Sequence, residues 1–434
     1  MKNTEFKQSG FEAERTVAML AILDNSVLAE IDLPLGWFGN EHIRAVLETA
    51  NSLNSSGVPV EPTTIAERLS DSRPGVDWMS YIVDLCRNVI GHRNSLNSYV
   101  DVIRSEYQRR QSQAIAQRLI ADVADEGQNA VDLAIRELMD LNMRNRSYDY
   151  DAVAVVKAGV EYTEKAFEAA QNGGQIGITT GLSDLDKATG GFHGSDLVVI
   201  PARPAMGKTA LMLNLALNSN ARFGVISSEQ GVEQMGTRMI SIQGQVSGAR
   251  IRNGSLTDED WRSFEVGART LLNNAKFHLN DDPVITIGEI QRQARKWKFT
   301  HDIQILFVDY IQRIQPTDSR LAKHAQVEEV TRGLKNLARE LNIPVVALAQ
   351  VNRECEKRPD KRPGMGDIAD ASIVEKEADS IWTLYRDEVY NSDTHDQGVA
   401  EINICKNRHG PTGAVRVVWD GKCFKFRDIY RGEV

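Results

Sequence analysis

The stretch Asp196-Leu-Val-Val-Ile200, followed at 202–209 by Ala-Arg-Pro-Ala-Met-Gly-Lys-Thr, decides the fold. An apolar run gives way to a tight loop, and an apolar, helix-favouring segment at 210–217 continues from a helix start near Gly207. Strand, loop and helix in that order form a phosphate cradle, because backbone N–H groups of the loop and of the helix N-terminus point inward at a polyphosphate. In such a loop Lys208 reaches the β- and γ-phosphates of ATP and the Thr209 hydroxyl ligates Mg²⁺. The expected nucleotide-binding segment is therefore Ala202, Arg203, Pro204, Ala205, Met206, Gly207, Lys208 and Thr209. Ala202 departs from the usual pattern, which has its first glycine at that position.

Composition sets the bounds. A chain of 434 residues suggests two domains, or one large and one small. No apolar run approaches a bilayer span, and the first residues have no signal-peptide core, so a cytoplasmic protein without membrane partners is expected. Cys86, Cys355, Cys405 and Cys423 form no C-x-x-C pair and read as reduced residues, not as a zinc site or disulfide framework. The net charge of −9 gives no global attraction to nucleic acid and leaves a local basic surface open.

Along the chain, residues 1–145 read as all-helical. Residues 11–23 place Ala13, Val17, Leu20 and Ala21 on one helical face, Thr64-Ile-Ala-Glu67 looks like a capping box, and 105–123 is a long polar helix with Ile115, Leu119 and Val123 on one stripe. With no catalytic constellation, this part is expected to serve interaction or oligomerisation. Residues 146–178 read as a linker whose amphipathic helix carries Val156, Val160 and Phe167 and stops at Asn172-Gly-Gly174. One apolar stripe needs a groove, either on its own domain or on a neighbouring subunit, and we favour the neighbour. From residue 179 strands alternate with helices, with candidate strands at 197–200, 223–227, 277–279, 303–308, 345–349, 380–385, 400–405 and 415–419. Runs such as Ile305-Leu-Phe-Val308 suit strands buried on both faces, which predicts an α/β domain with a mostly parallel sheet over 179–434.

Three strands end in polar groups. Asp309 closes an apolar strand about where a carboxylate would hold Mg²⁺; a plain Asp turn is the alternative. Glu229 closes the strand after the loop's helix, where it would orient or deprotonate water; the alternative is a surface Glu opening the next helix. Gln350 would sense the γ-phosphate and pass its state to the loop behind it, or would simply tie down a turn. That loop, 351–376, shows no strong secondary-structure signal before Ile373 and carries Arg353, Lys357, Arg358, Lys361 and Arg362. These read either as a solvated charge run or as phosphate neutralisers for single-stranded nucleic acid. Lys406-Asn-Arg-His-Gly410 follows a strand; if the domain assembles as a ring, Arg408 could reach a neighbour's γ-phosphate as an arginine finger.

Gly181-Leu-Ser-Asp-Leu-Asp186 with Gly190-Gly191, the phosphate loop, Val308-Asp-Tyr-Ile-Gln312, Pro344 through Arg353, Lys361-Arg-Pro363, Tyr385-Arg-Asp-Glu388 and Lys406-Asn-Arg with Gly410-Pro-Thr-Gly413 resemble the DnaB-type replicative DNA helicases in order and spacing. Phe11-Glu-Ala-Glu-Arg-Thr-Val17 resembles the start of that family's helical N-terminal domain. Ala202 is that family's usual residue. The resemblance implies a RecA-like ATPase domain, a homo-hexameric ring moving 5′→3′ on single-stranded DNA, and primase and a helicase loader as partners. It carries catalytic roles to Glu229, Asp309 and Gln350, and a trans-acting role to Lys406 and Arg408. It also implies a DNA-contacting segment around Asp370 and Ser372, but Ala369-Asp-Ala-Ser372 lacks the Arg common in the family, so backbone N–H groups and nearby basic residues are expected to do more of the binding. Together with a shortened 218–223, this divergence suits a phage- or plasmid-encoded member. A RecA-like recombinase is the main rival; a ring acting only as a scaffold for primase or loader is the non-enzymatic one.

Overall fold

The computed structural model describes residues 2–31, 33–87, 92–143, 151–171, 174–274, 276–316, 322–369 and 371–429. The chain forms two compact units, Met1–Asp151 and Ala152–Val434.

The first unit is helical: α1 (Lys2–Leu23), α2 (Val27–Glu30), α3 (Glu41–Ser55), α4 (Pro62–Ser72), α5 (Trp78–Arg87), α6 (Leu96–Glu126) and α7 (Gln128–Met143). The α1 stripe is as expected, with Ala13, Val17, Leu20 and Ala21 all buried in a core shared with Ile43, Leu47, Ile65, Trp78 and Ile82. Asn40 caps α3, its side chain accepting from the N–H groups of His42 at 2.9 Å and Ile43 at 3.0 Å. The expected capping box at 64–67 is corrected: α4 starts earlier, with Pro62 in its first turn, so Thr64 is already inside the helix. Proline's fixed φ and missing donor suit that first position. On α6 the expected stripe fades outward, from buried Ile115 to exposed Val123.

The second unit opens with α8 (Ala152–Gln171), on which Val156, Val160 and Phe167 are all exposed. The stop expected at 172–174 lies partly outside the described residues. Then come α9 (Ser183–Thr189), β1 (Leu197–Ala202), α10 (Lys208–Asn218), β2 (Phe223–Ser227), α11 (Val232–Gly244), α12 (Gly248–Asn253), α13 (Asp258–Asn273), β3 (Phe277–Asn280), α14 (Ile287–His301), β4 (Ile305–Asp309), α15 (Lys323–Leu341), β5 (Val345–Gln350), α16 (Ala371–Glu377), β6 (Ser380–Tyr385), β7 (Val399–Asn407), β8 (Gly413–Asp420) and β9 (Lys425–Asp428). The strands form one nine-stranded sheet in the order β3-β2-β4-β5-β1-β6-β7-β8-β9. Pairings from β3 to β6 are parallel; β7, β8 and β9 add on antiparallel.

Alternate residues of the central strands feed two cores. Val198, Ile200, Ile305, Phe307, Val346 and Leu348 pack with Leu211, Leu215 and Met239 of α10 and α11. Leu197, Val199, Leu306, Val308, Val345 and Ala347 pack with Ile290, Trp297, Leu334 and Leu337 of α14 and α15. A strand covered on both faces must be apolar at every position, which is why these segments read as unbroken hydrophobic runs. This is the three-layer α/β arrangement of a RecA-like domain. Among the described residues no helix is long and apolar enough to cross a membrane.

Candidate functional site

Parallel pairing brings the carboxyl ends of β1, β2, β4 and β5 together. Ala202 stands beside Gln350, and Ser227 beside Asp309. Ligands of open α/β sheets bind outside such ends. The loop after β1 turns through Ala205 and Gly207, both at positive φ (69° and 93°), and delivers Lys208 as the first residue of α10. Glycine is the residue that tolerates this conformation without strain.

The Thr209 hydroxyl donates to Asp309 Oδ2 at 2.6 Å. The Lys208 ammonium lies 4.0 Å from Asp309 Oδ1 and 4.1 Å from the centre of the Tyr310 ring. Burial pushes the Asp309 carboxyl up and the Lys208 ammonium down, while their mutual attraction opposes both shifts. Asp309 is fully buried, yet its Oδ1 has no hydrogen-bond partner among the described residues. An orphaned carboxylate oxygen beside a threonine hydroxyl is a hard-oxygen donor pair that fits Mg²⁺, which binds through one or two protein oxygens plus substrate phosphates. Among the described residues no cluster of three or more His, Cys, Asp or Glu gathers as an all-protein metal cage.

Glu229 stands exposed on the same cleft, held there by the turn after β2. Ser228 donates twice to the Asp309 carbonyl, from its N–H at 2.9 Å and its hydroxyl at 3.0 Å. Gln350 lines the cavity too, and its backbone N–H donates to Gln312 Oε1 at 3.1 Å. Lys208, Thr209, Glu229 and Gln350 thus line one cavity of about 380 Å³ together with Ala202, Pro204 and Ala205. Asp309 is fully buried beside it and holds the Thr209 hydroxyl. Met206 points away into the core. Arg203 lines the cleft as well, and its largely buried side chain bonds other partners.

Lys406 and Arg408 lie elsewhere. Lys406 pairs with Ile381 and Asn407 with Ser380, which stands beside Val198 at the amino end of β1. The Lys406 ammonium donates to the carbonyls of Glu375 at 2.6 Å and Ala378 at 2.7 Å, and Arg408 pairs with Asp379 at 2.9 Å. Of the basic residues after Gln350, Arg358 pairs with Asp367 at 2.5 Å, and Arg362 is bidentate to Glu401 at 2.6 and 2.8 Å. Lys357 pairs with Glu354 at 2.6 Å, Lys361 lies 4.8 Å over the Tyr390 ring, and Arg353 is exposed. The segment is more ordered than its sequence suggests, with 3₁₀ turns at Arg353–Lys357 and Met365–Asp367. Asp370 lies outside the described residues; Ser372 is exposed near the start of α16.

Sequence reading missed Arg238 and Arg386. Arg386 donates to the carbonyls of Ala205 at 3.2 Å and Met206 at 3.4 Å and lies over the Trp419 ring, bracing the phosphate loop. It stands in the quoted Tyr385-Arg-Asp-Glu388 motif, which was the available signal. Arg238 projects from α11 into the cleft over Phe424, and burial lowers its pKa against the pull of Asp309 and Glu229. No sequence pattern marks it.

A phosphate loop at a parallel sheet's carboxyl edge, flanked by Asp309, Glu229 and Gln350 on neighbouring strand ends, defines a RecA-like P-loop nucleotide hydrolase. Residues 177–428 match the DnaB-like helicase C terminal domain, and the chain belongs to that family. Replicative DNA helicase DnaB of Geobacillus stearothermophilus is 33% identical, the alignment covering 97% of this chain and 94% of its own. Replicative DNA helicase DnaC of Bacillus subtilis (strain 168) is 31% identical over 99% of this chain and 96% of its own. A solved DnaB-like replicative helicase, described with its interactions with primase, matches with a TM-score of 0.73 at 26% identity, covering 96% of this chain and 100% of its own. A second solved structure, an isolated ATPase domain, matches with a TM-score of 0.61 at 29% identity, over 64% of this chain and 100% of its own.

Proposed function

We propose that this chain is an ATP-hydrolysing replicative DNA helicase, working as a homo-hexameric ring that runs 5′→3′ on single-stranded DNA and unwinds the duplex ahead. The observation that carries the ring is the placement of the two halves of the chemistry. Lys208, Thr209, Glu229 and Asp309 stand at the carboxyl end of the sheet, Lys406 and Arg408 at the other. From Val198 to Ala202 the sheet rises about 13 Å. Arg408 is thus too far to serve its own phosphate loop, and a neighbour's loop is the natural recipient.

Glu229 orients the attacking water, Lys208 and the loop N–H groups hold the phosphates, and a neighbour's Arg408 and Lys406 meet the charge that develops on them. Thr209 and Asp309 would hold Mg²⁺, which when bound neutralises phosphate charge. Gln350 reads the γ-phosphate at the head of the segment 351–376, whose Arg353, Lys357, Arg358, Lys361 and Arg362, with backbone N–H groups around Asp370 and Ser372, contact the DNA backbone. A base-pair step costs about 1.4 kcal/mol, well within one ATP. The exposed stripe of α8 finds its groove on the neighbouring subunit, and residues 1–145 meet primase and a loader.

The test is strand displacement on forked DNA with a 5′ or a 3′ tail. Displacement that needs ATP and a 5′ tail is expected; none with either tail would overturn the reading. The rival recombinase forms open filaments, so closed rings in negative-stain micrographs separate the two.

A further inference from the structure

Arg203, the other cation of the phosphate loop, sits at the nucleotide cleft but ties its side chain to the segment that follows Gln350. Arg203 is 8% exposed; its Nε donates to Glu356 Oε1 at 2.7 Å and its Nη1 to the Val351 carbonyl at 2.8 Å. The same Glu356 oxygen accepts from the Tyr390 hydroxyl at 3.2 Å. The Arg203 guanidinium holds the Glu356 carboxyl below the usual carboxylate range. Backbone joins the two segments as well, the Val351 N–H donating to the Ala202 carbonyl at 3.3 Å. Beyond Val351 the chain turns back on itself, with Asn352 N–H donating to the Asp367 carbonyl at 2.7 Å and Ala369 N–H to the Gln350 carbonyl at 3.1 Å. Lys361 lies over the Tyr390 ring, which stacks on Tyr385, which in turn carries Arg362 at 4.8 Å. An unbroken set of contacts therefore runs from the phosphate loop to the basic residues behind Gln350.

We propose that Arg203, Glu356 and Tyr390 are positioning residues that clamp the 351–369 segment to the phosphate loop, so that DNA held by that segment and nucleotide held by the loop change each other's binding. This is a second route beside Gln350. Gln350 answers to the γ-phosphate, whereas the Arg203 clamp answers to the shape of the loop itself. Coupling of this kind is reciprocal: whatever DNA does to the loop, nucleotide does to the DNA segment. The inference rests on the helicase reading, which makes DNA the ligand of 351–369.

The variants are Glu356→Ala, Glu356→Gln and Tyr390→Phe in the full chain, none of which touches the cleft's catalytic groups. ATP hydrolysis is measured with and without oligo-dT, giving kcat, the KM for ATP and the DNA concentration for half-activation. Glu356→Ala is expected to lower the stimulated-to-basal ratio roughly tenfold, within the 5–150-fold range of ordinary coupling, with basal rate and KM held. Glu356→Gln keeps an acceptor oxygen for Arg203 and recovers part of the ratio. A wild-type ratio in Glu356→Ala overturns the clamp, and so does a basal rate that falls in step with the stimulated one. Should Glu356→Ala melt early, Tyr390→Phe carries the test, since it removes one hydroxyl from a half-buried ring; a ratio equal to wild type then overturns the proposal. A wild-type chain that shows no DNA stimulation at all overturns the helicase reading itself, and the clamp falls with it, which is a distinct result.

Discussion

At the scale of single residues, the site's chemistry is set by how Asp309 is buried. With Oδ1 unpartnered among the described residues and the Thr209 hydroxyl on Oδ2, the carboxylate relies on Lys208 nearby for compensation. Lys208→Ala should lower ATP turnover by about 10²–10³ or more, the scale of losing one preorganised charge donor; steady-state hydrolysis near the wild-type rate would remove the phosphate-loop assignment. Thr209→Ala takes away the oxygen proposed for Mg²⁺ and leaves Asp309 Oδ2 without its donor, a loss of about 1–3 kcal/mol for a buried acceptor. The expected outcome is a raised Mg²⁺ requirement for hydrolysis together with a lower melting temperature in metal-free buffer; an unchanged Mg²⁺ titration would count against Thr209 as a ligand. Lys208, Thr209 and Asp309 were legible because each sits at a fixed offset from a strand end, and such offsets are local. The partners of Arg203 and Arg386 were not, because their bonds span 153 and 181 residues and only the assembled sheet creates them.

At the scale of elements, the same four-residue signature succeeds in one place and fails in another. Thr286 and Glu289 form a full capping box at the start of α14, whereas Thr64 and Glu67 do not, since Pro62 has already opened α4. A capping pair is therefore informative only where nothing upstream starts the helix first. Strand β9 was missed for a similar reason: Lys425-Phe-Arg-Asp428 buries only Phe426, too little alternation to register as a strand until β8 pairs with it. Packing between elements makes an opposed pair of predictions. Gly224, inside β2, lets Trp297 of α14 approach so closely that a β-carbon would stand 2.7 Å from its ring, with Leu306 at 3.2 Å behind. Gly224→Ala should destabilise the second unit by about 1–3 kcal/mol, as overpacking does. Gly236→Ala, on α11 with nothing within 4 Å of the new carbon, should instead stabilise by roughly 0.5–1 kcal/mol through helix propensity. Thermal melting of the two variants in opposite directions from wild type is the expected result, and a Gly224→Ala chain that melts with wild type would mean that Trp297 is free to move.

At the scale of the whole molecule, the sheet separates the two groups of residues that the proposed shared site would bring together. Arg408 rests on Asp379, a buried carboxylate that also accepts from the Leu197 N–H at 2.8 Å and from Lys335 at 2.5 Å, all at the edge opposite the phosphate loop. Removing the arginine leaves Asp379 with two donors, so Arg408→Ala should fold and bind ATP nearly as wild type does. Hydrolysis should fall by a factor on the order of 10³–10⁵, the usual worth of an arginine finger. Glu229→Ala should also be inactive, for the separate reason that the water is no longer oriented. The two dead proteins make a decisive mixture. Where an Arg408→Ala subunit supplies its intact Glu229 and phosphate loop, and a Glu229→Ala neighbour supplies its intact Arg408, the site between them is complete. Mixed rings should therefore recover part of the ATPase activity, rising with the proportion of such junctions and greatest near equal amounts of the two proteins. If the finger served its own chain, every site in the mixture would lack one group or the other. Activity would then stay at the level of the separate variants at all ratios, and the site shared between subunits would have to be abandoned.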